Sequence, residues 1–432
     1  MSVAHLPSLR NNIARGALVA HFRPVFDRSS GCLVKRIARI LLWVTGIALV
    51  VLWLGWVAIR GYLNSTYGQR IASQQLSQMV GTTVEVSSLG VGTSSTSISL
   101  RIPDPTPESQ SDLIKIGSLE ADVSLLNLLT SQVAPTKVTA NDIEILLRLD
   151  ADGKRLSTFP KFAQGGGAFT IPTIQLHNAR IRVQQTGHPE FDFGGINGSL
   201  KRDGDAYVLT GDADELKWGK WKITGKLNAN ATEGQFQLDS NDAPLSDVLL
   251  RSIPYVPTEV WDHLSASGQT AATITLTFRP GHDLGYRVDL HPKKAMLSFP
   301  SAEVSVSDFV GQILVEDGRV TVKDAIMQLA EGVVSINGSC DFKLPNRVIT
   351  TNVKSNRVNI RQLPDSWGLP KEMEGKLTGS ANLQLHIGLD GKMDPRGNGR
   401  GELEDAKFAG LNAKIELKLS GRGGRFRFDA NK

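Results

Sequence analysis

The sequence is poor in cysteine, with only Cys32 and Cys340 among its 432 residues. A long apolar run separates the two, so a membrane-spanning helix there would hold them on opposite sides and prevent a disulfide. One unpaired cysteine in an exported domain provides no disulfide framework, and the fold must depend on burial and backbone pairing. Cys340 alternates with apolar neighbours and is predicted to pack inside.

The sequence also lacks the common motifs of catalytic and metal sites. Its eight histidines are scattered, and it contains no HExxH, CxxC or G-x-S-x-G pattern. The stretch from Gly219 to Lys226 resembles a phosphate-binding loop but is one residue too long, with Leu227 where Ser or Thr should bind the metal. Gly397–Gly401 lacks the dinucleotide-binding spacing. We interpret both as turns and predict no catalytic residues, metal or cofactor.

No strong excess of either charge is present, since the formal net charge is +5. The first 39 residues carry seven bases and one acid, which leaves the rest of the chain near −1. Binding of nucleic acid needs a concentrated basic face. The sequence therefore predicts no nucleic-acid partner.

The longest apolar run, Ile40–Ile59, has no charge and no proline. At about 1.5 Å per residue such a helix spans about 30 Å, the hydrocarbon core of a bilayer. Trp43, Trp53 and Trp56 lie towards its ends, where indoles suit the membrane interfaces. The bases upstream predict a cytoplasmic N terminus, with the bulk of the chain across the membrane. No small-x-small cleavage site follows, so we expect an uncleaved signal-anchor.

Beyond this run, apolar residues recur at every second position, which indicates strands with one apolar and one polar face. The clearest run places Val334, Ile336, Gly338, Cys340 and Phe342 on one face. Asn-Gly and Asp-Gly pairs, which tight hairpin turns favour, begin at Asp152, Asn197, Asp203, Asp317, Asn337, Asp390 and Asn398. The sequence predicts a mainly β protein, in which an N-terminal transmembrane helix precedes an elongated, curled antiparallel sheet with a few short helices.

Four segments are predicted along the chain. Residues 1–39 form a cytoplasmic basic tail, 40–59 the transmembrane helix, 60–163 a membrane-proximal module, and 164–432 a repeating β-groove region. The glycines at 165–167 are the predicted hinge between the last two.

Local patterns add detail to these segments. An amphipathic helix is predicted over Tyr62–Val80 and ends at Gly81. Leu125–Ser131 is either a helical turn or a loop. The chain stops soon after the alternating pair Phe426 and Phe428, which indicates a truncated chain or an edge strand left for a partner.

Two segments interrupt the strand pattern, Pro244–Leu264 and Val358–Met373, and both suggest short helical turns bounded by proline. The apolar positions of Ala272–Phe278 fall on those of Ala381–Ile387, 109 residues later. This offset indicates a large internal repeat.

Trp218 and Trp221 lie within the run Lys217-Trp218-Gly219-Lys220-Trp221-Lys222. Tryptophan beside lysine is typical of a surface that contacts lipid headgroups. The alternative is a pair of strands around Gly219 with both indoles packed inward.

The order of elements resembles the AsmA-like proteins of Gram-negative envelopes. The run IKIGSLEADVSLLNLLTS leading to IEILLRLDADG is similar to the N-terminal region of that family. The stretches LPDSWGLPKEMEGKLTGSANLQL and GRGELEDAKFAGLNAK are similar to its repeating segments. The resemblance implies a single-pass protein of the bacterial inner membrane whose periplasmic part is a long β-groove for phospholipid acyl chains, related in shape to bridge-like lipid transfer proteins.

These arguments give one functional expectation and one alternative. The expected function is acyl-chain binding in support of phospholipid transport and outer-membrane homeostasis, without enzymatic activity and with an outer-membrane or periplasmic protein as a further partner. The alternative is a membrane-anchored scaffold that assists outer-membrane protein assembly. The apolar residues predicted to line the groove are Ile274, Leu276, Phe278, Val334, Ile336, Phe342, Leu383, Leu385 and Ile387.

Overall fold

The computed structural model describes most of the chain beyond residue 65. The described residues are isolated positions between 47 and 62, and 65–91, 95–105, 111–122, 135–157, 172–229, 232–256, 258–280, 282, 285–300, 303–342, 347–367, 373–387, 393–408, 411–422 and 425–431. The chain divides into two units, Met1–Ile59 and Arg60–Lys432. The second unit is mainly β and contains one 19-stranded sheet with few helices, as predicted.

The helices are short and few among the described residues of the second unit. They are α1 (Thr66–Val80), α2 (Asp247–Ser252) and α3 (Thr258–His263), with 3-10 turns at Ile360–Gln362 and Asp365–Trp367. The strands are β1 Glu85–Val91, β2 Thr96–Pro103, β3 Asp112–Ala121, β4 Lys137–Leu149, β5 Thr173–Gln185, β6 Phe191–Asp203, β7 Ala206–Glu215, β8 Gly219–Asn228, β9 Gly234–Leu245, β10 Ser265–Phe278, β11 Gly285–Phe299, β12 Val304–Glu316, β13 Arg319–Leu329, β14 Gly332–Asp341, β15 Arg347–Asn359, β16 Glu374–Ile387, β17 Met393–Phe408, β18 Leu411–Arg422 and β19 Arg425–Asn431.

The predicted membrane run is described only in part. Its described positions are helical and their apolar side chains, including Trp53, are exposed. Trp43 and Trp56 lie outside the described residues, as do the basic tail, Leu125–Ser131 and the glycines at 165–167. Among the described residues, none of the helices is both long enough and apolar enough to span a bilayer.

Helix α1 ends at Val80 as predicted, but it begins at Thr66 rather than at Tyr62. The Ser65 hydroxyl accepts a hydrogen bond from the Gly68 N–H, and Gly81 adopts a left-handed conformation with φ of 73° at the C-terminal cap. Leu76 packs against the cluster of Val84, Leu100 and Ile102. Tyr67 and Ile71, also expected on the apolar side, are exposed instead, so only the C-terminal half of the helix packs on the sheet.

The pairing registers join consecutive strands from β1 to β19, and all but one of these pairs are antiparallel. The exception is β4 with β5, which run parallel from Lys137 opposite Thr173 to Leu149 opposite Gln185. The expectation of a wholly antiparallel sheet is therefore wrong at this junction, where the chain crosses back before starting β5. The sheet continues across the predicted boundary between residues 163 and 164.

A line of bulges crosses the later strands. Five strand-interior residues have φ between 49° and 56°, and the residue after each is at most 3% exposed. The left-handed residues and their buried successors are Lys294–Ala295, Asp308–Phe309, Asp324–Ala325, Arg357–Val358 and Asp405–Ala406. Each coincides with a register shift. Bulges bend strands and increase their twist, so each of these positions adds a local bend to its strand.

One strand and its pairing to the next strand agree with the predicted repeat, which otherwise stays a prediction. The ends of β10, Ser265 and Phe278, correspond to the ends of β16, Glu374 and Ile387, 109 positions later. The register is kept as well, since Gln269 opposite Lys293 becomes Thr378 opposite Glu402. Helical turns precede both strands, as the two interruptions predict.

The glycine dipeptides divide into two groups. Those at Asp152, Asp203 and Asp317 form turns, whereas those at Asn197, Asn337 and Asn398 lie inside strands, and the pair at Asp390 lies outside the described residues. The interpretation of Gly397–Gly401 as a turn is wrong, because this segment is part of β17 and pairs with β16 along its length. The interpretation of Gly219–Lys226 as a turn is also wrong, because β8 begins at Gly219 and contains this stretch.

Candidate functional site

Apolar residues from successive strands fall opposite one another on one face of the sheet. Pairing by pairing, a first ladder crosses seven strands, from Ile223 through Leu238, Ile274, Val288, Val315 and Val320 to Cys340. Directly opposed residues in a sheet share a face. We call this side the apolar face.

A second ladder lies beside the first on the same face. It runs through Leu290, Ile313, Val322, Gly338, Thr351, Leu383 and Gly397. Because the two ladders overlap between β11 and β14, one face of the sheet can be followed from β8 to β17. Its ladder residues are apolar up to β13, and Thr351 and two glycines interrupt them on β14 to β17.

The predicted groove residues on β10, β14 and β16 lie on the apolar face. Ile274 and Leu383 belong to the two ladders, and Ile336 lies opposite both Ala325 and Val353. Leu385 remains partly exposed, and Phe278 stacks on Phe236 with ring centroids 5.8 Å apart. The side chain of Ile387 lies outside the described residues.

One of the predicted groove residues is not in the open part of the face. Val334 is 5% exposed within a core cluster that includes Phe309 and Met327, so it is a core residue. Phe342, just after the end of β14, is partly exposed, and its backbone N–H donates to the Gly318 carbonyl in the turn.

Burial is uneven across the apolar face. The cluster near the bulge line is densely packed, with Ala295 and Ala325 fully buried against Phe309 and Val358. Ile274, Ile336, Leu383 and other ladder residues are only partly buried. The face is thus filled by its own side chains near the bulges and retains accessible apolar surface elsewhere. Sequence reasoning missed the bulge line and therefore this division.

Trp218 and Trp221 belong to a different core cluster and do not form a headgroup-binding surface. Trp221 is 7% exposed and packs with Phe193 in an edge arrangement, with ring centroids 6.3 Å apart. The Trp218 indole N–H donates to the Asp192 carbonyl at 2.6 Å, and that of Trp221 donates to the Trp218 carbonyl at 2.8 Å. The headgroup hypothesis is corrected here, since both indole N–H groups bond to backbone and the rings pack inward.

Ion pairs connect strands in the earlier part of the sheet. The Arg182 guanidinium contacts Glu144 at 2.5 Å and Glu190 at 2.6 Å. Its hydrogen bonds lower the pKa of the Glu190 carboxyl below the ordinary value, outweighing the opposing effect of partial burial. These contacts tie β4, β5 and the start of β6 together. No group of three or more His, Cys, Asp or Glu side chains among the described residues is arranged to hold a metal ion.

A furrow with a volume of about 820 Å³ crosses β13 to β17. Polar side chains dominate its lining, among them Asn337, Asn352, Asn382 and Asn398. Sequence reasoning overlooked this site because it followed the apolar alternation and treated the intervening residues as solvated. The signal was an asparagine in each of four successive strands.

No family model, curated protein sequence or solved structure matches the chain.

Proposed function

We propose that this protein is a membrane-anchored, non-enzymatic lipid-binding protein of the bacterial cell envelope, which holds phospholipid acyl chains on the apolar face. The observation that carries the proposal is the overlap of the two ladders, which are mainly apolar and follow one face from β8 to β17, together with the partial exposure of Ile274, Ile336 and Leu383. A ligand that needs only apolar contact suits such a surface.

The energetics favour an acyl chain as occupant. Covering apolar surface is favourable by about 25 cal/mol per Å², or about 0.8 kcal/mol for each methylene group buried. Aligned ladders offer an unbranched chain apolar contact on each strand from β8 to β13 and again on β16, whereas a compact polar ligand would gain nothing there. In the proposal, the chain lies across the strands and its headgroup remains in water.

Attachment to the membrane is the second part of the proposal. The uncharged run Ile40–Ile59 supplies the anchor, and its described side chains are exposed rather than packed. The bases before residue 40 favour a cytoplasmic N terminus. The sheet then lies in the periplasm, where it supports phospholipid transport between inner and outer membranes, as the resemblance to AsmA-like proteins suggests, with an outer-membrane or periplasmic protein as a further partner.

One observation favours the second candidate, a scaffold that assists assembly of outer-membrane proteins. Near the bulge line, Phe309, Ala325 and Val358 fill the interior without a ligand. A sheet filled in this way along its whole length would act through protein contacts. The two candidates differ in whether lipid occupies the partly exposed ladders.

The test compares substitutions at two adjacent residues on opposite faces of β16. Leu385→Asp places a charge on the apolar face, while Gln384→Asp places the same charge on an exposed polar side chain. Both variants are purified with the wild-type protein in a mild detergent, and phospholipid per mole of protein is measured by mass spectrometry. We expect phospholipid with the wild type and Gln384→Asp, and a severalfold loss with Leu385→Asp. Absence of phospholipid from all three would overturn the lipid proposal and favour the scaffold.

A further inference from the structure

The furrow lies on the polar face, opposite the apolar face. The residues that line it form three rows, each running across the strands. The central row includes Gly338 and Leu383 from the second ladder, and the other two rows consist of the residues just before and just after it in each strand. The next residues on the apolar face, such as Ile336 and Leu385, do not line it. A depression on the apolar face would be walled by those side chains, because residues two positions apart share a face. The walls are therefore the two polar rows.

The first wall is an asparagine row formed by Asn337, Asn352, Asn382 and Asn398, which are opposite one another on β14 to β17. The Asn352 side-chain N–H donates to the Asn382 side-chain carbonyl at 2.6 Å. Each amide has both donor and acceptor atoms, so this bond leaves further donors and acceptors in the row for a ligand. The row is thus a polar strip across four strands.

The second wall consists of hydroxyl, amide and basic groups. Thr321, Ser339, Thr350, Gln384 and Arg396 are opposite one another from β13 to β17. Lys323 adds a second positive charge at the β13 end of the furrow. None of the described residues that line the furrow carries a carboxylate or an aromatic ring. The furrow therefore attracts an anion that is rich in hydrogen-bonding groups.

We propose that this furrow binds a linear, anionic oligosaccharide, lying across the strands between the two walls. Neighbouring strands are about 4.8 Å apart, which is close to the advance per sugar in an extended β-linked glycan. Successive sugars would meet successive asparagines, which exchange hydrogen bonds with hydroxyl groups. Lys323 and Arg396 would pair with sugar carboxylates or phosphates. The volume of about 820 Å³ is within the range of small-ligand sites.

The chemistry favours a glycan over an anionic membrane surface. Proteins that dock on a bilayer combine basic residues with apolar or aromatic side chains that enter the interface. The furrow has its apolar residues only in the floor between two polar walls. Because it faces away from the apolar face, the proposal is independent of acyl-chain binding.

The experiment measures binding of a fluorescent β-1,4-linked mannuronate hexamer to the full chain in detergent, by fluorescence anisotropy at low salt. Arg396→Gln and the double variant Asn352→Ala/Asn382→Ala should each weaken binding about tenfold or more, since each removes charge-assisted or multiple hydrogen bonds. Arg287→Gln removes an exposed arginine from the polar face of β11, outside the furrow, and should leave affinity unchanged. Cellohexaose, which has the same linkage without charge, should compete weakly.

Three results would overturn the proposal. They are no binding of the hexamer by the wild type, equal loss in Arg287→Gln, and competition by inorganic phosphate as effective as that by unlabelled hexamer. Far-ultraviolet circular dichroism of each variant checks that the sheet is intact. The conservative variant Arg396→Lys keeps the charge and should restore part of the affinity.

Discussion

The Ser77 hydroxyl oxygen on α1 accepts a hydrogen bond from the backbone N–H of Val84 at 2.8 Å. One turn earlier on the same helix, the Ser73 hydroxyl accepts from the N–H of Val86 at 3.0 Å. Val86 lies on β1. Among the described strands, β2 is the only one whose residues are paired in register with those of β1. The two serines therefore satisfy N–H groups at the edge of the sheet, where unpaired groups would invite other strands.

We predict that Ser73→Ala/Ser77→Ala promotes self-association. Two backbone N–H groups lose their acceptors, at a cost of about 1 to 3 kcal/mol for each if they stay buried. Sedimentation velocity at several protein concentrations should show larger species for the double variant. Gln75→Ala, on the exposed side of the same helix, is the control. An unchanged sedimentation profile for the double variant would mean that the edge is protected by other means.

The bulge line predicts unequal effects of two substitutions at Asp324. This residue has φ of 49°, a conformation that glycine adopts freely and that β-branched residues resist. Asp324→Val should therefore lower the free energy of unfolding by about 1 to 3 kcal/mol, whereas Asp324→Gly should be nearly neutral. Thermal unfolding of both variants measures the difference. Equal stability of the two would show that the bulge relaxes without cost.

Much of the β architecture could be predicted from alternation, but the bulge line could not be recognised by the same rule. In β13 the apolar residues on the inward side follow the order Val320, Val322, Ala325, Met327, with a step of three between the middle pair, while Ile326 is exposed. That step is the trace of a bulge, since one extra residue changes the phase of the alternation. A search for apolar residues at every second position over a short window does not recognise this step.

The parallel pair and the furrow escaped prediction for other reasons. The pairing of β4 with β5 depends on where a long connection returns, and no residue pattern in either strand specifies a direction. The furrow depends on the registers of five strands. Asn352 and Asn382 are 30 residues apart in the chain, and only the pairing of β15 with β16 brings them into contact.

The Arg182 ion pairs predict a pH-dependent contribution to stability. The pKa of Glu190 is lower in the folded protein than its ordinary value, because the carboxylate accepts hydrogen bonds from Arg182. The stabilisation is therefore present above the unfolded pKa, about 4.3, and is lost as the pH falls through the lower folded value. Glu190→Gln should reduce stability at pH 7, and the difference from wild type should shrink as the pH falls below about 4.

Urea unfolding at a series of pH values measures this difference. Glu233→Gln removes an exposed carboxylate at the start of β9 and serves as the control, with a small effect at each pH. A stability difference for Glu190→Gln that stays constant between pH 7 and pH 3 would contradict the assignment.

Trp221 offers a test of packing against membrane contact. Its indole is 7% exposed, lies against Phe193, and donates to the Trp218 carbonyl at 2.8 Å. Trp221→Ala should lower the free energy of unfolding by about 3 to 5 kcal/mol, the usual cost of removing a buried aromatic ring. Trp221→Phe keeps most of the apolar volume and should lose less stability.

Binding to anionic liposomes, measured by flotation at a temperature where both variants remain folded, should be unchanged, because a buried ring has no contact with headgroups to lose. A variant that keeps its stability but no longer floats with the liposomes would show that Trp221 contacts the membrane.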